Sequence, residues 1–259
     1  HRVIENGNDM IRKSLIILFT ALLTLCIDTH AEEQLTIWAE NYPPFGYEEG
    51  GEIRGLSTDV TREMLKKTDI KAKSWRIVPW KDAYANTLKQ PNSLLYTVVR
   101  KPDRENKFHW IGPIADRTIY LYKLVENPNN EIKNLQSLED VKRYGYVVGA
   151  VSKTAAAERY RNKGIRLETV TNYYQNILKL HLGRIDLASA VEYNLEYLVK
   201  KHDLELGAFV KALMDDNSKK YYVVVNLKAD PNIVQQLQKA FKTINDDGTL
   251  SRIQNKYLN

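Results

Sequence analysis

Residues 94–105 read Leu94-Leu95-Tyr96-Thr97-Val98-Val99-Arg100-Lys101-Pro102-Asp103-Arg104-Glu105. An unbroken run of apolar and β-favouring residues is the pattern of a strand buried on both faces, and such strands belong to parallel sheets covered by helices. The run ends abruptly in charge, and Pro102 restricts the backbone just ahead of Arg104. A buried strand that releases charged side chains at its C-terminal end places chemistry at the edge of a sheet.

Outward from this strand, the segments alternate between two periods. On its N-terminal side Leu35-Thr36-Ile37-Trp38 reads as a strand running into Asn41-Tyr42-Pro43-Pro44-Phe45, and Gly50-Gly51 as a turn. Ser57 or Thr58 is expected to cap a helix with Val60, Met64 and Leu65 on one face. A short strand over 74–78 and a helix over 80–88 follow. On the C-terminal side, strands are expected over 146–149 and 185–188, and helices over about 155–163, 172–182 and 192–200, the second stopped by Gly183. Tyr221 to Asn226 is rich in β-branched and aromatic residues and reads as a strand. Asp230-Pro231 supplies an N-cap and a first-turn proline to an amphipathic helix carrying Ile233, Leu237, Ala240, Phe241 and Ile244. Alternation at these lengths predicts an α/β fold, each half a mostly parallel sheet covered by helices. Two halves of about 100 residues are ordinary domain sizes.

The first 31 residues follow another logic. Met10 is followed by Ile11, Arg12 and Lys13, then by an apolar run from Leu15 to Ile27 that closes at Thr29-His30-Ala31. A basic start, a short apolar core and a small terminal residue are the parts of a secretory signal, and the run is shorter than the roughly 20 residues a membrane span needs. Cleavage is expected after Ala31, with His1 to Asp9 an upstream extension. Cys26 is the sole cysteine, and Leu25 before it is not the small residue a lipid anchor would need. Removal of the signal leaves no cysteine and so no disulfide, as suits an exported chain held by its core.

Net charge is +6 and is unchanged by that cleavage, because residues 1–31 carry as many basic as acidic side chains. The lysines are spread along the chain with no basic block, which argues against nucleic acid. The histidines are isolated and no metal-binding spacing is present. Phosphate-cradling, dinucleotide and nucleophile-elbow glycine motifs are absent as well. No metal and no cofactor are expected.

Four ordered segments point further. They are Tyr42-Pro43-Pro44-Phe45 after the first strand; Trp80 opening a helix after Val78-Pro79; Arg100 to Glu105 followed by Phe108-His109-Trp110-Ile111-Gly112-Pro113; and Gly183-Arg184-Ile185-Asp186 with a terminal Asp246-Asp247-Gly248-Thr249-Leu250. Together they resemble the bacterial extracellular solute-binding proteins that serve polar amino-acid ABC transporters, over essentially the whole chain after the signal. The resemblance implies two α/β lobes joined by two hinge strands, near Ile119 to Leu124 and Tyr221 to Val225. Lobe 1 would comprise residues 32–119 plus 224–259, and lobe 2 residues 120–223. It further implies a non-enzymatic monomer in the periplasm that closes on a small polar ligand and passes it to a membrane ABC permease.

In that family an arginine after a Pro-acidic pair clamps the ligand's α-carboxylate, and Arg104 occupies that position; its planar fork suits a carboxylate. Arg100 is a second candidate. Tyr42 and Trp80, with Phe45, are either aromatic walls on the ligand or lobe-1 core. Thr97 lies near the position where the family commonly has a hydroxyl residue and this chain has Val99. Ser152 and Thr154 are either an anion site at a helix start or that helix's cap. The family's ammonium-binding aspartate aligns with Val191. Either Glu192 takes that role one residue on, or the ligand has no α-ammonium. Two alternatives share the fold: a cyclohexadienyl-type dehydratase using Glu40 or Glu192 as an acid, and a ligand-sensing partner of a membrane receptor.

Expressed from Met10 in a bacterium, the protein is expected in the periplasm with Glu32 as its first residue. Mass spectrometry of the periplasmic fraction checks this; an intact Met10 terminus would refute the cleavage.

Overall fold

A computed structural model describes residues 33–126 and 131–258; the expected export signal and its cleavage after Ala31 lie outside the described residues. From Gln34 onward the chain forms one compact unit. Its strands are β1 (Gln34–Ala39), β2 (Tyr47–Glu49), β3 (Glu52–Arg54), β4 (Lys71–Ile77), β5 (Ser93–Val99), β6 (Phe108–Leu124), β7 (Val148–Val151), β8 (Leu167–Val170), β9 (Leu187–Val191) and β10 (Phe209–Asn226). The helices are α1 (Leu56–Lys66), α2 (Trp80–Lys89), α3 (Leu138–Arg143), α4 (Ala155–Asn162), α5 (Tyr173–His181), α6 (Glu192–Lys201), α7 (Pro231–Asp246) and α8 (Thr249–Leu258).

Eight strands form a sheet in the order β4-β1-β5-β10-β6-β9-β7-β8. The outer pairs are parallel, β1 with β4 and β5, and β7 with β8 and β9. The central pair is antiparallel: β6 and β10 register from Phe209 opposite Leu124 to Asn226 opposite Phe108. β5 joins β10 through Tyr221 to Val225, whereas β9 joins β6 through Ile119 to Tyr122. Between those attachments, Asp116 to Ile119 faces Asp216 to Lys220 across a register shift between Asp216 and Lys219.

Hydrophobic burial divides the same way. One core group gathers Leu35, Ile37, Phe45, Met64, Leu94, Tyr96 and Ile114 with Val223 and Val225 of β10 and Ile233, Leu237 and Ile244 of α7; Trp38, Ala83, Leu95 and Phe108 continue it on the other face. The second gathers Ile119, Leu121, Val148, Tyr160 and Leu187, with Tyr122, Ile177, Leu195 and Phe209 on its far side. This is the two-lobed α/β architecture expected from the alternation, with the first core built as expected on the run from Leu94.

Three local expectations are corrected. Ser57 and Thr58 do not cap α1; the helix starts at Leu56 after Gly55, with no side-chain cap. Its first amides instead donate to the aromatic loop, Leu56 N to Pro44 O (2.8 Å) and Ser57 N to Phe45 O (2.9 Å). The strand expected over 221–226 extends back to Phe209, through a polar stretch whose ladder with β6 replaces burial as its support. The strand expected over 146–149 is shifted two residues along, to Val148–Val151.

Gly55 has φ +124°, and a Cβ there would lie 2.4 Å from the carbonyl oxygen of Phe45. Gly55→Ala is expected to cost about 3 kcal/mol, from strained backbone plus a clash with main chain. Gly51→Ala, also at positive φ but with open space around it, should cost only about 1 kcal/mol. Denaturant unfolding of the two variants checks the contrast, and equal losses would show that contact with the aromatic loop is immaterial.

Candidate ligand-binding cleft

The two lobes meet over the loop that follows β1. Tyr42 N donates to Gly46 O (2.6 Å) and Phe45 N to Tyr42 O (2.9 Å), so the loop is a closed turn anchored on α1. From it Tyr42 presents its ring to Tyr173 of the second lobe, centroids 4.8 Å apart, and its hydroxyl to that of Tyr221 at 3.1 Å. Asn194 of α6 donates to Pro43 O at 2.5 Å, and Tyr47 meets Tyr197 at 5.1 Å. Asn194 is fully buried and its Oδ1 has no partner. Tyr173 packs against the cores of both lobes.

Arg104 sits in a 3₁₀ turn, Pro102–Lys107, at the end of β5. Its Nη1 donates to Val99 O (3.2 Å), and its guanidinium lies over Trp80 (5.1 Å) and Tyr84 (5.3 Å). No carboxylate pairs with it among the described residues, and burial lowers its pKa against the opposing influence of Tyr84 and Asp103. A cation over aromatic faces with most of its donors unspent can receive an anion. Trp80 is thus a wall beneath the guanidinium. Arg100 differs: its fork is closed bidentately on Glu105, and it lies over Trp110 (5.3 Å).

Arg117 of β6 completes this electropositive side. It donates to Asp216 (3.1 Å) across the central ladder and interacts electrostatically with Tyr221, Tyr42 and, on its other side, Arg104. Thr97 has φ +62°, rare for a β-branched residue, and donates to Ser57 Oγ at 2.8 Å. The strained residue lies two positions before the end of β5, the strand that leads into the turn carrying Arg104, and such outliers tend to cluster at functional sites.

In the second lobe, Thr154 is spent as the cap of α4, accepting from Ala157 N (3.2 Å) and donating to Val151 O (2.8 Å). Ser152 lies two residues earlier at the end of β7, its amide bonded to Val170 O (2.8 Å) and its hydroxyl without a partner among the described residues. Glu192 opens α6 but its carboxylate is held by Lys211 of β10. Val191 is buried in the second core.

Glu40, which the sequence offered only as a possible acid, emerges as the cleft's acidic group. It directly follows β1, has no hydrogen bond or ion pair among the described residues, and interacts electrostatically with Tyr173 and Tyr221. Burial pushes its pKa from 4.5 up to about 7. Tyr173, Asn194, Tyr221 and Arg117 were also missed. The tyrosine pairs 173–174 and 221–222 were the visible signal; Arg117 lies in a strand whose first half the pattern did not reveal.

The profile of the bacterial extracellular solute-binding proteins, family 3, matches residues 35–259. The L-cystine-binding protein TcyA of Bacillus subtilis (strain 168) is 26% identical over 232 residues, covering 86% of this chain and 81% of that protein. An ancestral arginine-binding protein bound to arginine superposes with TM-score 0.71 at 18% identity, over 89% of this chain and all of that one (100%). A histidine kinase sensor domain with similarity to periplasmic binding proteins gives TM-score 0.74 at 15% identity, over 88% and 97%.

Since the folded protein holds the Glu40 proton more tightly than the unfolded chain, stability should fall as pH rises from about 4.5 to about 7 and then level off. Glu40→Gln should remove that slope, making the variant more stable than the parent at pH 8, on the order of 3 kcal/mol, and similar to it at pH 5. Thermal unfolding across that range checks the sign. A parent curve without this descent, or one that Glu40→Gln leaves unchanged, would refute the buried carboxyl.

Proposed function

The chain belongs to the bacterial extracellular solute-binding proteins, family 3, and from that premise we propose that it is the periplasmic substrate-binding component of an ABC importer for a small amino acid. One juxtaposition supports the reading: Arg104 and Glu40, opposite charges without ion-pair partners among the described residues, lie within electrostatic reach of Arg117 and Tyr221 respectively, and those two interact with each other. An α-carboxylate on Arg104 and an ammonium on Glu40 would satisfy both, with Tyr42 and Trp80 as walls and Ser152 as a hydroxyl from the second lobe. The cystine-binding relative and the arginine-bound neighbour carry names with ligands of this kind. Arg100 and Glu192 are left to secondary roles, because Glu105 and Lys211 occupy them.

Closure would turn about the central ladder where its register shifts, at 116–119 and 216–220. The lobe division at 119/120 and 223/224 is retained as a proposal, with the second boundary moved ahead of Tyr221, since Tyr221 and Val223 pack in the first core. The monomer acts with a membrane permease. A second reading draws on Glu40: a carboxyl protonated near neutrality can act as the general acid of a dehydratase. Incubation with a cyclohexadienyl acid followed by mass spectrometry separates the two, since a receptor returns its ligand unchanged.

A thermal-shift screen of ligand-stripped protein against amino acids, polyamines and organic acids should find a ligand; at 100 times its dissociation constant the gain is roughly 2.7 kcal/mol. Titration calorimetry then tests the clamp. Arg104→Ala should cost about 2–5 kcal/mol of affinity, and Arg104→Lys should recover only part. Arg100→Ala should cost less than about 1 kcal/mol, as expected for an exposed pair. Affinity within twofold of the parent for Arg104→Ala would refute the carboxylate clamp. Binding at pH 6 should release a proton as an ammonium ionises Glu40.

A further inference from the structure

A second cavity lies away from the cleft, on the second lobe, and shares no residue with the cleft. It encloses about 290 Å³ between β6, α6 and the start of β10, and is lined by Tyr122, Leu195, Glu196, Leu206, Phe209, Val210 and Lys211. Its chemistry is uneven. Tyr122 is only 3% exposed, yet its hydroxyl has no hydrogen-bond partner. A buried hydroxyl left unmatched is costly and calls for an explanation.

The charges around it are predominantly acidic. Glu192 and Glu196 stand one turn apart on α6, and both interact electrostatically with Tyr122. Lys211, itself part of the lining, is engaged by Glu192, interacts electrostatically with Glu196 as well, and rests over the Tyr120 ring at 4.6 Å. Glu196 is half-buried and has no hydrogen bond or ion pair among the described residues. The remaining walls are hydrocarbon, with Leu206 and Val210 more than a third exposed at the rim and Phe209 buried. An anion would meet two carboxylates opposed by a single ammonium here, and a purely apolar guest would leave both Tyr122 and Glu196 unmatched. A cation with an apolar body matches the Tyr122 hydroxyl, the Glu196 carboxylate and the hydrocarbon walls, and the second carboxylate, Glu192, holds Lys211.

We propose that this pocket is a second small-molecule site, selective for a primary amine on a short apolar body. The ammonium donates to the Glu196 carboxylate and to the Tyr122 hydroxyl oxygen, and the body lies among Leu195, Leu206 and Phe209. Because neither Arg104 nor Glu40 takes part, the site operates whether or not the cleft holds its ligand.

Benzylamine, with benzyl alcohol as its neutral counterpart, tests this by NMR titration of the full chain. Benzylamine should give saturable shifts at Phe209 and Leu206, and benzyl alcohol should bind at least tenfold more weakly. Glu196→Gln should weaken benzylamine about tenfold and Tyr122→Phe about fivefold, as expected for an ammonium bonded to a carboxylate and to a neutral hydroxyl. Val210→Trp, a rim change that leaves the core in place, should block binding, and Arg104→Ala should leave it intact. Equal binding of the alcohol, loss of binding in Arg104→Ala, or no saturable shift at millimolar benzylamine would each overturn the proposal. Failure of the cleft to bind amino acids would leave this test unaffected.

Discussion

The antiparallel pairing of β6 with β10 is the constraint on which the rest depends. These are the longest strands of the sheet, and they alone belong to both lobes. Each lobe adds its parallel strands to one end of that ribbon, β5 to β10 and β9 to β6. The backbone hydrogen bonds of the ribbon therefore tie two separate hydrophobic cores together without a shared core between them. Its middle is where pairing slips, and it is polar: Arg117 reaches Asp216 there, while Arg159 and Tyr160 converge on the Asp215 carboxylate and Tyr160 also meets the Ser189 hydroxyl. A charged, hydrogen-bonded crossing specifies registry more than it adds stability, because the desolvation of such pairs consumes much of their Coulombic gain.

The crossing also explains why the cleft forms where it does. Tyr221 leaves the polar stretch of β10 and enters the first core, carrying a hydroxyl that meets Tyr42, while Arg117 leaves β6 toward the same point. The aromatic loop is fixed from the other side by the amides of α1. One side of the cleft is thus built from backbone hydrogen bonds on a helix terminus. The opposing side, Tyr173 and Asn194, comes from helix starts in the second lobe. Rigid elements meeting at a ribbon that can twist are suited to closure on a ligand.

How much of this could be read in the residues depends on whether each feature is local. The strand at Leu94 to Val99, the stop of α5 ahead of Gly183 and the α7 start at Asp230-Pro231 are local patterns, and they were legible. The first half of β10 was not: Asp215-Asp216-Asn217-Ser218-Lys219-Lys220 has the composition of a loop and becomes strand only because β6 lies beside it. Ser57 and Thr58 looked like caps because their type favours that role, but the orphan amides of α1 are satisfied by carbonyls of residues 44 and 45, so the hydroxyls turn to Thr97 and Tyr96 instead. Arg104 was reached through its motif, whereas its freedom from carboxylates was not visible in one dimension. Nor was the pairing of Arg100 with Glu105 or of Glu192 with Lys211, although both determine which charges are left for a ligand.

Those remaining charges give the cleft its character. An arginine over tryptophan and tyrosine, and a carboxyl whose burial raises its pKa to about 7, are each in a condition that water or a partner would relieve. They do not form an ion pair with each other, and both belong to the first lobe, so closing the lobes without a bridging ligand would desolvate them further at a cost. A zwitterion changes that balance by supplying the missing partner to each, so that the same burial strengthens both interactions. On the proposed reading the closed state would be favoured by the ligand's charge arrangement, while direct contacts such as Asn194 to Pro43 O join the lobes. On the proposed reading selectivity would follow from the same physics: a molecule lacking either charge would leave one half-buried group unmatched, and rejection of that kind is larger than hydrocarbon fit alone can provide.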